Sequence, residues 1–254
     1  MPAHHDASRM RLLLLGGTAE AAALADALAG DRRFAVILSL AGRTAAPAPR
    51  RVETRCGGVG GAAGLARYLA CARIGALIDA THPFARRMSD NAALACARTG
   101  VPRIALGRPP WRPVEGDDWH PVADEAAAAR ALPAGARAFI ALGRQRLAAF
   151  AGRADAWFLI RVVDPPAAPL IAAPHQIIAA RGPFALDSER ALLQRHRITH
   201  LVARNSGGAG AYAKLAAARD LALPVLMIDR PPPPPGPLAG DVTALLAWLD
   251  ALTG

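Results

Sequence analysis

Several residue types and patterns are scarce in this 254-residue chain, and each scarcity narrows what it can be. Cysteine occurs at Cys56, Cys71 and Cys96 only, an odd number with no C-x-x-C spacing and no neighbouring histidine cluster, so neither a disulfide framework nor a structural zinc site is expected. No apolar run approaches the roughly 20 residues of a membrane-spanning helix, because Leu12-Leu13-Leu14-Leu15 stops at Gly16-Gly17. The first ten residues carry His4, His5 and Asp6 without an apolar stretch and cleavage site, so no secretion signal is expected and the location is expected to be cytoplasmic. A G-x-S-x-G elbow, a Walker loop, H-E-x-x-H and paired metal-ligand motifs are all missing, and no metal is expected. Lysine is almost missing too: of 30 basic residues only Lys214 is one.

Apolar mass and positive charge are present instead. At 53% apolar and 20% charged residues the chain can bury a substantial core, built from Ala, Leu and Val because aromatics supply only 5%. The 30 Lys+Arg against 20 Asp+Glu leave a formal net charge of +10. A nucleic-acid binder would gather that charge into a basic block with interleaved aromatics. Here the arginines are spread along the whole chain, so no nucleic-acid partner is expected and the cations favour an anionic small molecule.

Short apolar runs alternate with alanine-rich helical stretches. Strands are expected at about 10–15, 34–40, 75–80 and 102–106, with helices at about 18–29, 61–73 and 85–99 between them. A short helix near 123–131 leads to Leu132-Pro133-Ala134-Gly135, a boundary signal, and the alternation starts again. Strands then fall near 137–142, 156–163, 175–180, 198–203 and 224–228, and helices near 144–151, 186–196, 210–221 and 240–252. Continuous runs such as Val36-Ile37-Leu38 suit parallel strands covered on both faces. The expectation is an α/β fold of two Rossmann-like, doubly wound parallel-sheet domains, residues 1–122 and 123–254, with an active-site crevice between them. Five prolines, Pro231 to Pro235, read as a stiff extended connector.

Chemistry is sought where strands end. Gly16-Gly17-Thr18-Ala19-Glu20 follows the first strand and opens the first helix, where glycines let backbone approach a phosphate and Thr18 can cap the helix; a purely structural turn is the alternative. At the end of the second strand, Ser39-Leu40-Ala41-Gly42-Arg43 offers a hydroxyl and a guanidinium where an NAD site would carry an acidic residue, which favours NADPH. The cluster Gly57-Gly58-Val59-Gly60-Gly61 is either an unusual turn or backbone lying against a flat ligand. Thr81 and His82 in Asp79-Ala80-Thr81-His82-Pro83-Phe84 should lie at the carboxyl edge of the sheet. A second glycine-rich loop, Asn205-Ser206-Gly207-Gly208-Ala209-Gly210, follows Arg204 and precedes Lys214, an ammonium able to give up a proton as guanidinium cannot.

These segments, together with Arg161-Val162-Val163-Asp164-Pro165-Pro166 and Arg181-Gly182-Pro183-Phe184, occur in an order that resembles the precorrin-6A reductases of cobalamin (vitamin B12) biosynthesis, over about residues 10 to 250. The resemblance implies an NADPH-dependent oxidoreductase that saturates one C=C bond of the corrin precursor ring, taking precorrin-6A to precorrin-6B. It implies two Rossmann-like domains with the macrocycle between them, in a family whose members can exchange strands between the halves. A polycarboxylate tetrapyrrole as substrate gives the dispersed arginines a purpose. On this basis cofactor binding is expected at Gly16, Gly17, Thr18, Ser39, Arg43, Gly58, Thr81 and His82. Substrate binding is expected at Arg204, Asn205, Ser206, Gly207 and Lys214, and catalysis at Lys214 and His82, in a monomer. Two positions depart from the family: Ala21-Ala22-Ala23 stands where members commonly carry an arginine, and Arg204 where lysine is common. Reduction of a cobalt-precorrin, or a non-catalytic NADP(H)-binding regulatory module, are the alternative readings.

Overall fold

The computed structural model describes residues 9–42, 49–164 and 171–253. The leucine-rich segment forms β1 (Met10–Leu15), flanked by β2 (Phe34–Leu40) and β4 (Ala76–Asp79). With β3 (Glu53–Cys56), β5 (Arg103–Leu106) and β12 (Leu238–Ala239) it makes a six-stranded parallel sheet in the order β12-β5-β4-β1-β2-β3. Alternate residues of β1 point to opposite sides, as the strand period of two requires. Leu12 and Leu14 pack with Leu24 and Leu28 of α1 (Ala19–Leu28) and with Leu245 and Leu249 of α7 (Val242–Thr253). Leu13 and Leu15 pack with Leu65 and Leu69 of α2 (Gly61–Cys71) and with Ala92 and Ala95 of α3 (Arg86–Thr99). Helices thus cover both faces, which is why β1 carries no polar residue after Arg11.

The second sheet repeats the plan. β7 (Arg137–Ile140), β8 (Trp157–Val162), β9 (His175–Ala179), β10 (His200–Arg204), β11 (Val225–Ile228) and β6 (Trp119–Val122) run parallel in the order β6-β11-β10-β7-β8-β9. α4 (Glu125–Ala131), α5 (Leu186–Arg195) and α6 (Ala213–Asp220) are its α-helices, and Arg144–Phe150 is a 3₁₀ helix. Phe139, Leu159, Leu193, Leu201 and Leu215 share one core cluster.

Both sheets place the first strand of their run beside the fourth, so each has the doubly wound order expected from the alternation. The division of the chain differs from the expected 1–122 and 123–254. One compact unit is Met1–Arg108 with Pro231–Gly254, and the other is Pro109–Arg230. Pairing decides this: β6 hydrogen-bonds to β11, and β12 to β5, so the segment 109–122 belongs to the second unit and the C-terminal segment to the first. The proline run is tied to the first unit, its Pro232 and Pro235 carbonyls accepting from Arg86 and Arg103.

Because Leu249 is fully buried in the first unit's core, Leu249→Ala should destabilise the protein by about 2–5 kcal/mol in chemical denaturation. A loss of only about 0.5 kcal/mol, the scale of a surface site, would remove α7 from that core.

Candidate active site

The first sheet reverses its winding between β1 and β4, and the loops leaving those two carboxyl ends diverge to open a crevice. Gly16 and Gly17 turn the chain there. A Cβ on Gly16 would lie 2.6 Å from Leu38 Cδ1, and Gly17 sits at φ +110°, a region L side chains avoid. Thr18 is the N-cap of α1: its Oγ1 accepts from the Ala21 N–H (3.1 Å) and donates to the Ala80 carbonyl (2.9 Å). Its one proton therefore staples the β1 loop to the β4 loop, and a bound anion is left to the backbone amides at the start of α1. Among the described residues the Gly17 and Thr18 N–H groups donate to no backbone carbonyl. They stand at the N-terminal end of α1, where the helix dipole favours negative charge.

The β4 loop is braced by Asp79, whose carboxylate is 4% exposed and accepts from the Thr81 N–H (3.2 Å) and hydroxyl (2.7 Å). His82 Nδ1 accepts from the Phe84 N–H (3.2 Å), so in the neutral ring the proton is on Nε2. Glu20, in the first turn of α1, pairs with Arg108 beyond β5 (2.5 Å). Burial pushes the Glu20 carboxyl up, but its backbone hydrogen bond and the Arg108 guanidinium outweigh this and hold it below the ordinary carboxylate range. Thr18, Glu20, Thr81, Pro83, Gly107 and Arg108 help line a shallow, solvent-open hollow.

At the next strand end, Ser39 of β2 faces Arg55 of β3 in register, and Arg55 Nη1 donates to Ser39 Oγ at 2.6 Å. Arg43, the other residue expected to read a 2′-phosphate, lies outside the described residues. The glycine cluster that follows β3 is accounted for largely as a turn, because Gly57, Gly60 and Gly61 have φ of +110°, +77° and +69°. Gly58 is not among the positive-φ glycines and a Cβ there meets open space.

In the second unit the corresponding reversal falls between β7 and β10. Arg204 Nη2 binds Glu125 Oε1 at the start of α4 (2.8 Å). Asn205 clamps a backbone: its Oδ1 accepts from the Trp111 N–H (2.8 Å) and its Nδ2 donates to the Trp111 carbonyl (3.0 Å). Gly207, at φ +67°, lies so close to Pro109 that a Cβ would meet its carbonyl oxygen at 2.2 Å. Ser206 is buried beside them. Thus the glycine-rich loop holds the segment that enters this unit.

Lys214, at the start of α6, is 7% exposed; its Nζ donates to the Ala211 carbonyl (2.6 Å) and lies 5.3 Å from the centre of the Trp111 ring. Burial, reinforced by the nearby Arg161 charge and opposed by Glu189, pushes its ammonium down to about 8. Arg161 and Glu189 form a buried two-bond ion pair (3.0 and 2.6 Å), the guanidinium lying against the Phe139 and Phe184 rings. The structure therefore gathers Gly16, Gly17, Thr18, Thr81 and His82 at one edge, and Arg204 to Gly207 with Lys214 in the other unit. Sequence reading assigned no role to Arg55, Glu20, Arg108, Arg161 or Glu189, since each acts through a partner distant in the chain.

A family profile described as precorrin-6x reductase CbiJ/CobK matches residues 11–250. The chain belongs to that family. A precorrin-6A reductase of Rhodobacter capsulatus is 49% identical over 94% of this chain and 95% of its own length. One from Rhodococcus erythropolis is 48% identical, covering 96% and 98%. A cobalt-precorrin-6A reductase of Salmonella typhimurium is 29% identical over 87% and 88%. The solved structure of a CobK precorrin-6A reductase superposes with a TM-score of 0.91 at 48% identity, covering 96% of this chain and 97% of its own. This member of the family is accordingly an oxidoreductase of cobalamin biosynthesis served by a nicotinamide cofactor. Among the described residues of this reductase no group of three potential metal ligands occurs, and no helix is long and apolar enough to cross a membrane.

The buried ammonium has a thermodynamic signature. With its folded pKa near 8 against an unfolded value near 10.5, the folded state of this reductase bears the cost of a buried charge in full below pH 8 and sheds it as pH rises to 10.5. Wild-type stability minus that of Lys214→Met should therefore rise between pH 8 and 10.5 in parallel denaturation series. A flat difference contradicts the burial.

Proposed function

We propose that this chain reduces one C=C bond of metal-free precorrin-6A with NADPH, giving precorrin-6B, with hydride added to one ring carbon and a proton to its neighbour. The observation that carries the reading is the junction of the amide-lined Gly16-Gly17-Thr18 bend with Thr81 and His82 at the winding reversal, in a chain of this reductase family. The higher identity to relatives named precorrin-6A reductase, 49% against 29% for the Salmonella cobalt-precorrin enzyme, supports the metal-free substrate.

The residues present fit a dinucleotide. The amides at the start of α1 suit its pyrophosphate, Ser39 its adenosine ribose, and the strand end carrying Thr81 and His82 its nicotinamide end. Bound NADPH supplies the hydride. Thr18 fixes the spacing of the two loops, and the Asp79 carboxylate holds Thr81 in place. Arg204, Ser206 and Gly207 belong to the tetrapyrrole side of the reading, with Asn205 keeping their loop in shape through Trp111. Lys214 is the proton donor we favour over His82. An ammonium near 8 is still charged at neutral pH yet gives its proton up far more readily than an ordinary lysine.

Purified protein mixed with NADPH and precorrin-6A should show loss of the reduced-nicotinamide absorbance together with formation of precorrin-6B. Binding of NADPH without turnover would instead favour a regulatory module, and turnover only with the cobalt complex the cobalt enzyme. Lys214→Met should lower kcat by about a hundredfold or more with a much smaller change in KM, the scale of general-acid catalysis. An unchanged kcat assigns the proton to His82 or water.

A further inference from the structure

Four described arginines of the first unit meet carboxylates. Arg33 pairs with Asp31 and Asp250, Arg50 with Asp26, Arg86 with Asp90 and Arg108 with Glu20. Arg55 is not one of them: among the described residues no carboxylate lies within ion-pair distance of it. Its guanidinium is nonetheless fixed. One N–H group donates to Ser39 Oγ at 2.6 Å, and its central carbon lies 5.1 Å from the centre of the Tyr68 ring on α2. An arginine has five N–H donors in a planar fork, so four remain after the Ser39 bond. Ser39 accepts in that bond, and its own hydroxyl proton stays available to an acceptor.

This arrangement stands at the carboxyl end of the strand next to β1, the place where a doubly wound sheet receives the adenosine ribose of a dinucleotide. An acidic residue there would accept from the two ribose hydroxyls. A fixed cation beside a hydroxyl donor, without a counter-charge, suits a dianion.

We infer that Arg55, held over Tyr68 and bonded to Ser39, is the residue by which this chain selects a 2′-phosphorylated nicotinamide cofactor over its unphosphorylated counterpart. The inference rests on the NADPH reading above and adds the residue that enforces it. Arg55 and Ser39 together form the phosphate cradle: the guanidinium fork binds two phosphate oxygens and the Ser39 hydroxyl a third. Neutral hydroxyls of an unphosphorylated ribose gain nothing comparable from the cation.

Dissociation constants of NADPH and NADH are measured for wild type, Arg55→Gln and Arg55→Lys by titration of the full chain. Wild type is expected to prefer NADPH. In Arg55→Gln that preference should fall by roughly tenfold to a hundredfold, the scale of one or two charge-assisted hydrogen bonds, with the loss confined to NADPH. Arg55→Lys, which keeps the charge and loses the fork, should recover part of it. The pair 2′,5′-ADP and 5′-AMP should repeat the pattern, placing the effect at the 2′-phosphate. A wild-type preference that survives in both variants overturns the assignment to Arg55 and leaves the NADPH reading standing. Equal wild-type affinity for the two cofactors overturns both. Loss of NADH binding by Arg55→Gln would show a folding defect, and Arg55→Lys then decides by the same ratio.

Discussion

Thr18 does two things with one oxygen, and the geometry of the first unit's edge depends on them. By accepting from the Ala21 N–H it starts α1, and by donating to the Ala80 carbonyl it fixes the distance between the loops that leave β1 and β4. A helix start alone would be a weak anion site, and a winding reversal alone only a groove. Joined by a hydroxyl whose proton is already committed, they become one edge, with the backbone amides at the start of α1 on the β1 loop and Thr81 with His82 on the β4 loop. In the proposed reading this edge would align hydride donor and acceptor, on which the rate chiefly depends.

The two sheets show how far continuous apolar pattern carries a reading. Strands such as β1, β2, β8 and β11 are nearly all apolar because helices cover both their faces, and each was legible from that continuity. The three strands left out of the reading, β3, β6 and β12, all lie on or beside a sheet edge or carry little buried surface: Glu53-Thr54-Arg55-Cys56 is mostly exposed, Trp119-His120-Pro121-Val122 is interrupted by proline, and β12 has two residues. Missing β6 and β12 is also what misplaced the boundary, since those two strands decide to which sheet the segments around 119 and 238 belong. No local pattern announces such an exchange; only pairing does.

The site was legible in part, and for a similar reason. Gly16, Gly17, Thr18, Thr81 and His82 sit directly after apolar strands, so strand position predicted where they would meet. Arg55 lies on a strand with no apolar signature and acquires meaning through Ser39, 16 residues away. The Arg161–Glu189 pair joins β8 to α5 across 28 residues, and Lys214 owes its weakened hold on a proton to burial that no residue count reveals. Asn205 was expected to bind substrate. Its amide, however, is committed to the Trp111 backbone, so its contribution to the loop is one of shape.

The most direct test of the account is a crystal structure of the protein with NADP⁺ bound. The account predicts the pyrophosphate on the Gly17 and Thr18 amides at the start of α1, with the nicotinamide ring beside Thr81 and His82. A dinucleotide held only within Pro109–Arg230, with the β1–α1 bend untouched, would contradict it.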